Sequence, residues 1–347
     1  MRGIGRLTRA ACWLRHWIIP GLPVLLYHRV AELASDPQLL CVTPKHFAEQ
    51  LEVVCRHARP VSLGELVRGL LDGVIPRKSF AVTFDDGYAD NLHNAHPVLQ
   101  HYGVPATVFI ASGSVGSDRE FWWDELDRLV LQSERLPEAI EFDTGEGAVA
   151  TWQLGEAAEQ DGTTRARWRG WHVLIGSDPS PRHSLYRFLC TMFARLPEAR
   201  REAVLAQLRR QACCGPRGRP THRALMREEV SQLSECGLFE IGGHTVTHTS
   251  LASLARGVQE AEIRASRAAL EEMTGRAVTS FSYPFGDRSS YTAETVDLVR
   301  SAGLRCACAN FTDGVRRNSD PYQLPRILVR DWDGDEFARR LSGWLRG

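Results

Sequence analysis

Thr83-Phe84-Asp85-Asp86-Gly87-Tyr88 closes an apolar run from Phe80 that has the length of a buried strand. Neighbouring side chains of a regular strand point to opposite faces, so Asp85 and Asp86 converge on one site only if the strand stops there. Gly87 supplies that break, since it has no Cβ to oppose an unusual backbone turn. Alone, Asp-Asp-Gly reads as an ordinary solvated turn. It gains meaning from a distant partner, His244-Thr245-Val246-Thr247-His248, whose spacing can place two imidazoles on one side of a helical turn. Two histidines and one carboxylate make a ligand set that leaves positions open on a cation, with the other carboxylate free to take a proton.

Outward from this stretch, strand-length apolar runs alternate with helical patterns. Val24 to Tyr27 precedes a helix opened by Thr43 and Pro44 and running to about His57. A second helix starts at Ser62, where Glu65 completes a capping box. Strand Phe80 to Phe84, a helix through about Tyr102 and strand Ala106 to Ala111 follow. The rhythm resumes with helix Arg227 to Cys236, stopped by Gly237, and strand Leu238 to Ile241. Then come helix Val258 to Met273, strand Ser280 to Tyr283, helix Ala293 to Ser301 and strand Arg305 to Ala309. Such alternation predicts an α/β fold with a parallel sheet, open or closed into a barrel, and reactive groups at the carboxyl ends of its strands. Asp85, His244 and Tyr283 fall at or just past such ends. Between about 117 and 219 the rhythm is lost, and a mostly helical insertion is expected there. It carries Trp122, Trp123, Trp152, Trp168 and Trp171, which either fill a core or stack on a saccharide.

With 347 residues, 42 basic against 42 acidic side chains and no basic tract, the chain offers no nucleic-acid surface. Nine cysteines, an odd number without zinc-ribbon spacing, point to a reducing compartment. Residues 1–22 form a basic and apolar segment in which Arg15, His16, Pro20 and Pro23 interrupt or end the apolar run. It reads either as a helix packed on the domain or as a peripheral contact with a membrane. The expected location is cytoplasmic, with the inner face of the membrane as the alternative.

The paired motifs resemble those of the polysaccharide deacetylases, carbohydrate esterases that hydrolyse N-acetyl groups on sugars. Thr83 to Tyr88 resembles the first motif of that family, His244 to His248 the second, and Tyr283-Pro284-Phe285-Gly286 the third. The form of the third is that of the poly-N-acetylglucosamine deacetylase branch. The resemblance implies a distorted parallel (β/α) barrel of about seven strands over 23–347, interrupted by the insertion. It also implies that Asp85 is the general base and that Asp86, His244 and His248 bind a divalent metal. Zinc is the first expectation, with nickel, cobalt or manganese as alternatives. A backbone N–H near Tyr88 would hold the oxyanion, with Tyr283, Pro284 and Phe285 near the substrate. The implied substrate is an N-acetylated saccharide or sugar-linked precursor.

The general acid of the family usually lies in a C-terminal Leu-x-His, yet no histidine follows Val329. Leu26-Tyr27-His28 carries that pattern at the end of the first strand, which makes His28 the expected acid. Ser282 stands where many members have an arginine that orients the catalytic aspartate. Arg326, in Leu324-Pro325-Arg326-Ile327, either takes over that role or makes only a surface ion pair. Asp331 is a second candidate for orienting the base. Two rival readings follow: an iron oxygenase with the same ligands, which leaves Asp85 without a task, and a sugar-binding scaffold impaired by the loss of arginine at 282.

Overall fold

In the computed structural model, which describes residues 21–145 and 148–344, seven parallel strands form the wall of a distorted barrel. They are β1 (Val24–Tyr27), β2 (Ser79–Phe84), β3 (Ala106–Ile110), β4 (Phe239–Gly243), β5 (Ser280–Ser282), β6 (Cys306–Cys308) and β7 (Ile327–Leu328). Their order is β6-β5-β4-β3-β2-β1-β7, with the short strand Arg59–Pro60 beside β2. A parallel bridge from Cys308 to Leu324 ties the chain entering β7 back to β6. The strands are buried on both faces, as a parallel sheet covered by helices requires. The segment expected over 1–22 lies outside the described residues apart from Gly21 and Leu22.

Helices α1 (Pro44–His57) and α2 (Leu63–Leu71) join β1 to β2, and α3 (His96–Tyr102) joins β2 to β3. The caps are local. Thr43 Oγ1 accepts the His46 N–H at 3.3 Å, and Ser62 Oγ accepts the Glu65 N–H at 3.1 Å. Only half of the expected capping box forms, because Arg59 donates to the Glu65 carboxylate at 2.6 Å, and a charged donor outcompetes a neutral backbone N–H. Between β3 and β4 lie α4 (Trp122–Leu126), α5 (Gly162–Arg167), α6 (Pro181–Phe193), α7 (Glu198–Gln211) and α8 (Arg227–Glu235). This region also contains an antiparallel hairpin, Ala139–Gly145 with Ala148–Gln153, absent from the sequence reading. Its strands and helices bury an apolar cluster of their own around Phe142, Leu185, Leu189 and Leu205. After β4 the alternation resumes with α9 (Arg256–Thr274), α10 (Ala293–Ser301) and α11 (Gly334–Trp344). No described helix is long and apolar enough to cross a membrane.

The strand registers set the site. Tyr27 pairs with Phe84, Ile110 with Gly243, Phe281 with Gly243 and Leu26 with Leu328. Residues 28, 85, 244 and 330 therefore follow the strand ends on one rim. β2 stops at Phe84, and both Asp86 (φ 73°) and Gly87 (φ 86°) turn into the left-handed region. A Cβ at Gly87 would come within 3.0 Å of Ile110. Gly87→Ala should therefore destabilise the fold by about 1–2 kcal/mol from the backbone alone, with the Ile110 contact adding to it. Urea unfolding of the purified variant measures this; an unchanged midpoint would show that the turn tolerates a side chain.

Candidate active site

Asp85 and Asp86 leave the end of β2 in different directions and meet different partners. Arg326 donates from Nη1 to Asp85 Oδ1 and from Nη2 to Oδ2, both at 2.7 Å, and its Nε donates to the Ala309 carbonyl at 2.9 Å. Ser282 Oγ accepts from Arg326 Nη2 at 2.8 Å and donates to Asp85 Oδ2 at 3.1 Å. Arg326 is fully buried, so this is a bidentate internal pair and not a surface one. The small Ser282 side chain sits between the two charged groups, and the guanidinium reaches Asp85 from the chain entering β7 instead of from β5. Burial pushes the Asp85 carboxyl up, but Arg326 and His244 outweigh it and hold the group below the usual range. Asp331 takes no part: it accepts from the Thr43 N–H at 2.8 Å and meets His46 Nδ1 at 2.7 Å, at the start of α1. Its neighbour in sequence, Arg330, lines the site instead.

Asp86 meets the two histidines. Its Oδ1 lies 3.5 Å from His244 Nε2 and 3.2 Å from His248 Nε2, and the three side chains are buried. Two ligand atoms each about 2.0–2.1 Å from one ion at a tetrahedral angle would be roughly 3.3 Å apart, so the spacing fits a single cation. His244 Nδ1 faces the Ser282 carbonyl at 2.8 Å, which fixes the proton there and leaves the Nε2 lone pair directed at Asp86. Among the described residues Asp86 Oδ1 has no hydrogen-bond donor. A carboxylate oxygen and two imidazole nitrogens converging in this way are the donor set of a cation site, and Asp86, His244 and His248 can hold one.

The histidines converge differently from the helical turn expected from their spacing. Residues 244–248 form a loop in which Thr245 (φ 63°) and His248 (φ 51°) are both left-handed. Two charged groups clamp it from opposite sides. Glu262 on α9 accepts from the Val246 N–H at 2.8 Å, the Thr247 N–H at 3.0 Å and Thr247 Oγ1 at 2.9 Å. Arg201 on α7, almost wholly buried, donates to the Thr247 carbonyl at 2.5 Å and the His248 carbonyl at 3.4 Å. A carboxylate thus takes the donors and a guanidinium the acceptors of one strained loop. Neither residue carried a local signal in the sequence, because Glu262 acts on a segment 15–16 residues away and Arg201 on one 46–47 residues away.

His28, Asp85, Asp86, His244, His248 and Phe285 wall one cavity of about 180 Å³, with Gln38, Leu40, Trp122, Trp123, Asn310, Leu328 and Arg330. His28 Nδ1 is buried without a partner among the described residues, and burial holds this histidine below its ordinary value. Trp123 and Phe285 set their rings edge-on against His248, at 4.8 and 5.0 Å between centroids. Tyr283 and Pro284 do not line the cavity. The Tyr283 phenol donates to the Tyr322 carbonyl at 3.0 Å and its ring stacks on Tyr291 at 4.1 Å. The Tyr88 side chain is buried too, and its carbonyl accepts the Asn91 N–H at 3.1 Å, while the local bridge uses Leu225 N–H to the Gly87 carbonyl and Ala89 N–H to the Arg223 carbonyl. Among the described residues the Tyr88 N–H has no acceptor. Gln38 and Arg330 escaped the sequence reading, while Trp122 and Trp123 entered it only among the aromatics of the insertion.

A model of the family described as polysaccharide deacetylase matches residues 72–134 and 198–307, which include both aspartates and both histidines. The chain belongs to the polysaccharide deacetylase family. It is 31% identical over 108 residues to YxkH of Bacillus subtilis (30% of this chain, 37% of that one). It is 30% identical over 104 residues to the poly-beta-1,6-N-acetyl-D-glucosamine N-deacetylase of Staphylococcus aureus (30% of this chain, 36% of that one). These matches span little more than a third of each relative. Among solved structures, IcaB of Ammonifex degensii shares the fold with 19% identity and a TM-score of 0.56, covering 94% of this chain and 97% of that one. The deacetylase PplD of Streptococcus pyogenes, in complex with acetate, does so with 15% identity and a TM-score of 0.56, covering 93% and 98%.

Behind the cavity, Trp123 Nε1 donates to the Tyr88 phenol at 2.7 Å, which donates to Asp124 Oδ2 at 2.6 Å. Burial pushes the Asp124 carboxyl up to about 7, although Arg29 and Tyr88 pull the other way. Its folded value lies above that of an unfolded aspartate, about 3.9. The folded protein therefore binds more protons in this window, and the contribution to stability falls as pH rises from about 4 through about 7. Asp124→Asn should lack that slope. Denaturant unfolding of both proteins across this range tests it, and parallel pH dependences would contradict it.

Proposed function

We propose that this family member hydrolyses the N-acetyl group of an amino sugar in the making or modification of a surface polysaccharide. The observation that carries the proposal is the division of labour between adjacent carboxylates: Asp85 is held ionised by Arg326, while Asp86 faces His244 and His248. Asp86, His244 and His248 would bind a divalent cation, with zinc first among those their N/O donors accept. When bound, it would acidify a water molecule and polarise the acetyl carbonyl. Asp85 takes the proton of the attacking water, because its carboxylate is anionic and fixed at the cavity wall. The free N–H of Tyr88 is suited to the oxygen that gains charge in the tetrahedral intermediate. His28, on the rim formed by β1, gives a proton to the departing nitrogen, and because burial holds its value below the ordinary one its proton-bearing form grows as pH falls. Trp122, Trp123 and Phe285 supply apolar walls that exclude water around the acetyl group.

An impaired scaffold drew its support from Ser282. That support falls away once Arg326 delivers a guanidinium to Asp85 by another route.

The proposal assigns opposite consequences to the two aspartates. Asp86→Ala should abolish both zinc binding, measured by equilibrium dialysis, and acetate release from an N-acetylglucosamine oligomer. Asp85→Asn should retain zinc and lose about 10²–10⁴-fold in turnover, since only the base is removed. Zinc loss in Asp85→Asn with retention in Asp86→Ala would reverse the two roles, and full turnover by metal-free Asp86→Ala would refute the mechanism.

A further inference from the structure

Two of the tryptophans in the insertion, Trp168 and Trp171, have no part in the site above, and they line a separate cavity of about 240 Å³. Ligand pockets commonly start at about 300 Å³, so this one is sized for a single ring and not for a length of chain. Trp171 is buried and sets its ring edge-on against His183 at 4.6 Å. Trp168 lines the same cavity and is 36% exposed, so part of its surface is left for a ligand. His183 is fixed by its Nδ1 contact with Ser180 Oγ at 2.8 Å, and burial holds it neutral with a value near 4.

The charge of the wall is one-sided, since it contains Arg165 and Arg169 and no carboxylate. Arg165 gives Nη2 to the exposed Glu134 at 3.2 Å, but its Nη1 is buried without a partner. Arg169 is exposed and makes no ion pair among the described residues. The nearest acid in sequence, Asp161, is committed to capping α5 through the Thr164 N–H at 2.7 Å. Guanidinium groups pair well with carboxylate and phosphate oxygens, and an aromatic face suits the C–H face of a pyranose.

Position links this cleft to the catalytic cavity. Ser35 lines the first and Gln38 the second. Three residues span at most about 10 Å, so the two cavities flank one short segment. That segment is pinned to the insertion, because the Val173 N–H donates to the Pro37 carbonyl at 2.9 Å and Gln38 Nε2 donates to Tyr186 Oη at 2.8 Å.

We propose that the Trp168 cleft is a second saccharide site that seats an anionic pyranose, carrying a carboxylate or a phosphate, next to the sugar that offers its acetamido group. The ring stacks on Trp168 while Arg165 and Arg169 take its anionic oxygens. Only the identity of the neighbouring sugar rests on the deacetylase reading; binding in the cleft does not.

Titration calorimetry with the full chain tests this using four probes. They are a tetrasaccharide of alternating glucuronate and N-acetylglucosamine, N-acetylglucosamine 1-phosphate, a neutral N-acetylglucosamine tetramer and inorganic phosphate. At least one charged saccharide should bind about tenfold or more tighter than the neutral tetramer, and which one does so tells carboxylate from phosphate. Trp168→Ala and Arg169→Ala should each reduce that preference at least fivefold. Equal affinity for charged and neutral saccharides overturns the proposal. So does a preference that survives both variants, or inorganic phosphate binding as tightly as the sugar phosphate. Acetate release is a separate readout, so failure of the cleft and failure of the deacetylase reading are told apart.

Discussion

Two carboxylates adjacent in sequence cannot both face one small, buried cavity as anions unless each has its own compensating charge. The pair between Arg326 and Asp85 supplies half of that compensation, and the arrangement of the remaining groups depends on it. With Asp85 held from behind by two parallel hydrogen bonds, its carboxylate stays ionised at the wall, and Asp86 is left to the histidines. Removing one partner of such a buried pair commonly costs about 3–5 kcal/mol, because the other charge remains in place unpaired. The guanidinium arrives on the chain entering β7, a strand of only two residues. Its register against β1, Leu26 with Leu328, is therefore part of the chemistry and not merely the closing of a barrel.

The second constraint is backbone strain. Asp86, Thr245, His248 and Phe285 all have positive φ, and all belong to the cavity or to the loop that forms it. Such conformations cost of order 1–3 kcal/mol each and persist only where surrounding groups over-determine them. Glu262 from the barrel and Arg201 from the insertion do so for the histidine loop, one through its N–H groups and the other through its carbonyls. Trp123, also from the insertion, lies against His248. The region between β3 and β4 is thus a load on the site geometry and not an appendage to the barrel.

Most of the α/β alternation was legible in the sequence because strand ends and helix caps are local: Thr43, Ser62 and Gly237 mark their boundaries by their own chemistry. The aspartate and histidine pairs were legible for the same reason, each being a short motif at a strand end. What the sequence hid is long-range. β7 is too short to show a period, and the hairpin near Phe142 takes its register from the cluster it covers. Asp331 looked suitable by its resemblance to a family element, yet it meets the start of α1 while Arg330 faces the cavity. Tyr283 looked suitable by its motif, yet its phenol is spent on Tyr322. Ser282 and Arg326 are 44 residues apart, and only the fold shows that the small side chain of one leaves room for the long side chain of the other.

The central claim, that Arg326 keeps Asp85 ionised as the base, is tested most directly by the pH profile of kcat/KM for acetate release in zinc-loaded Arg326→Met. Arg326 holds the Asp85 carboxyl down, so its loss should raise that value and move the acid limb of the profile to higher pH, with zinc still bound. A profile whose acid limb stays where it lies in the unaltered protein would contradict the account.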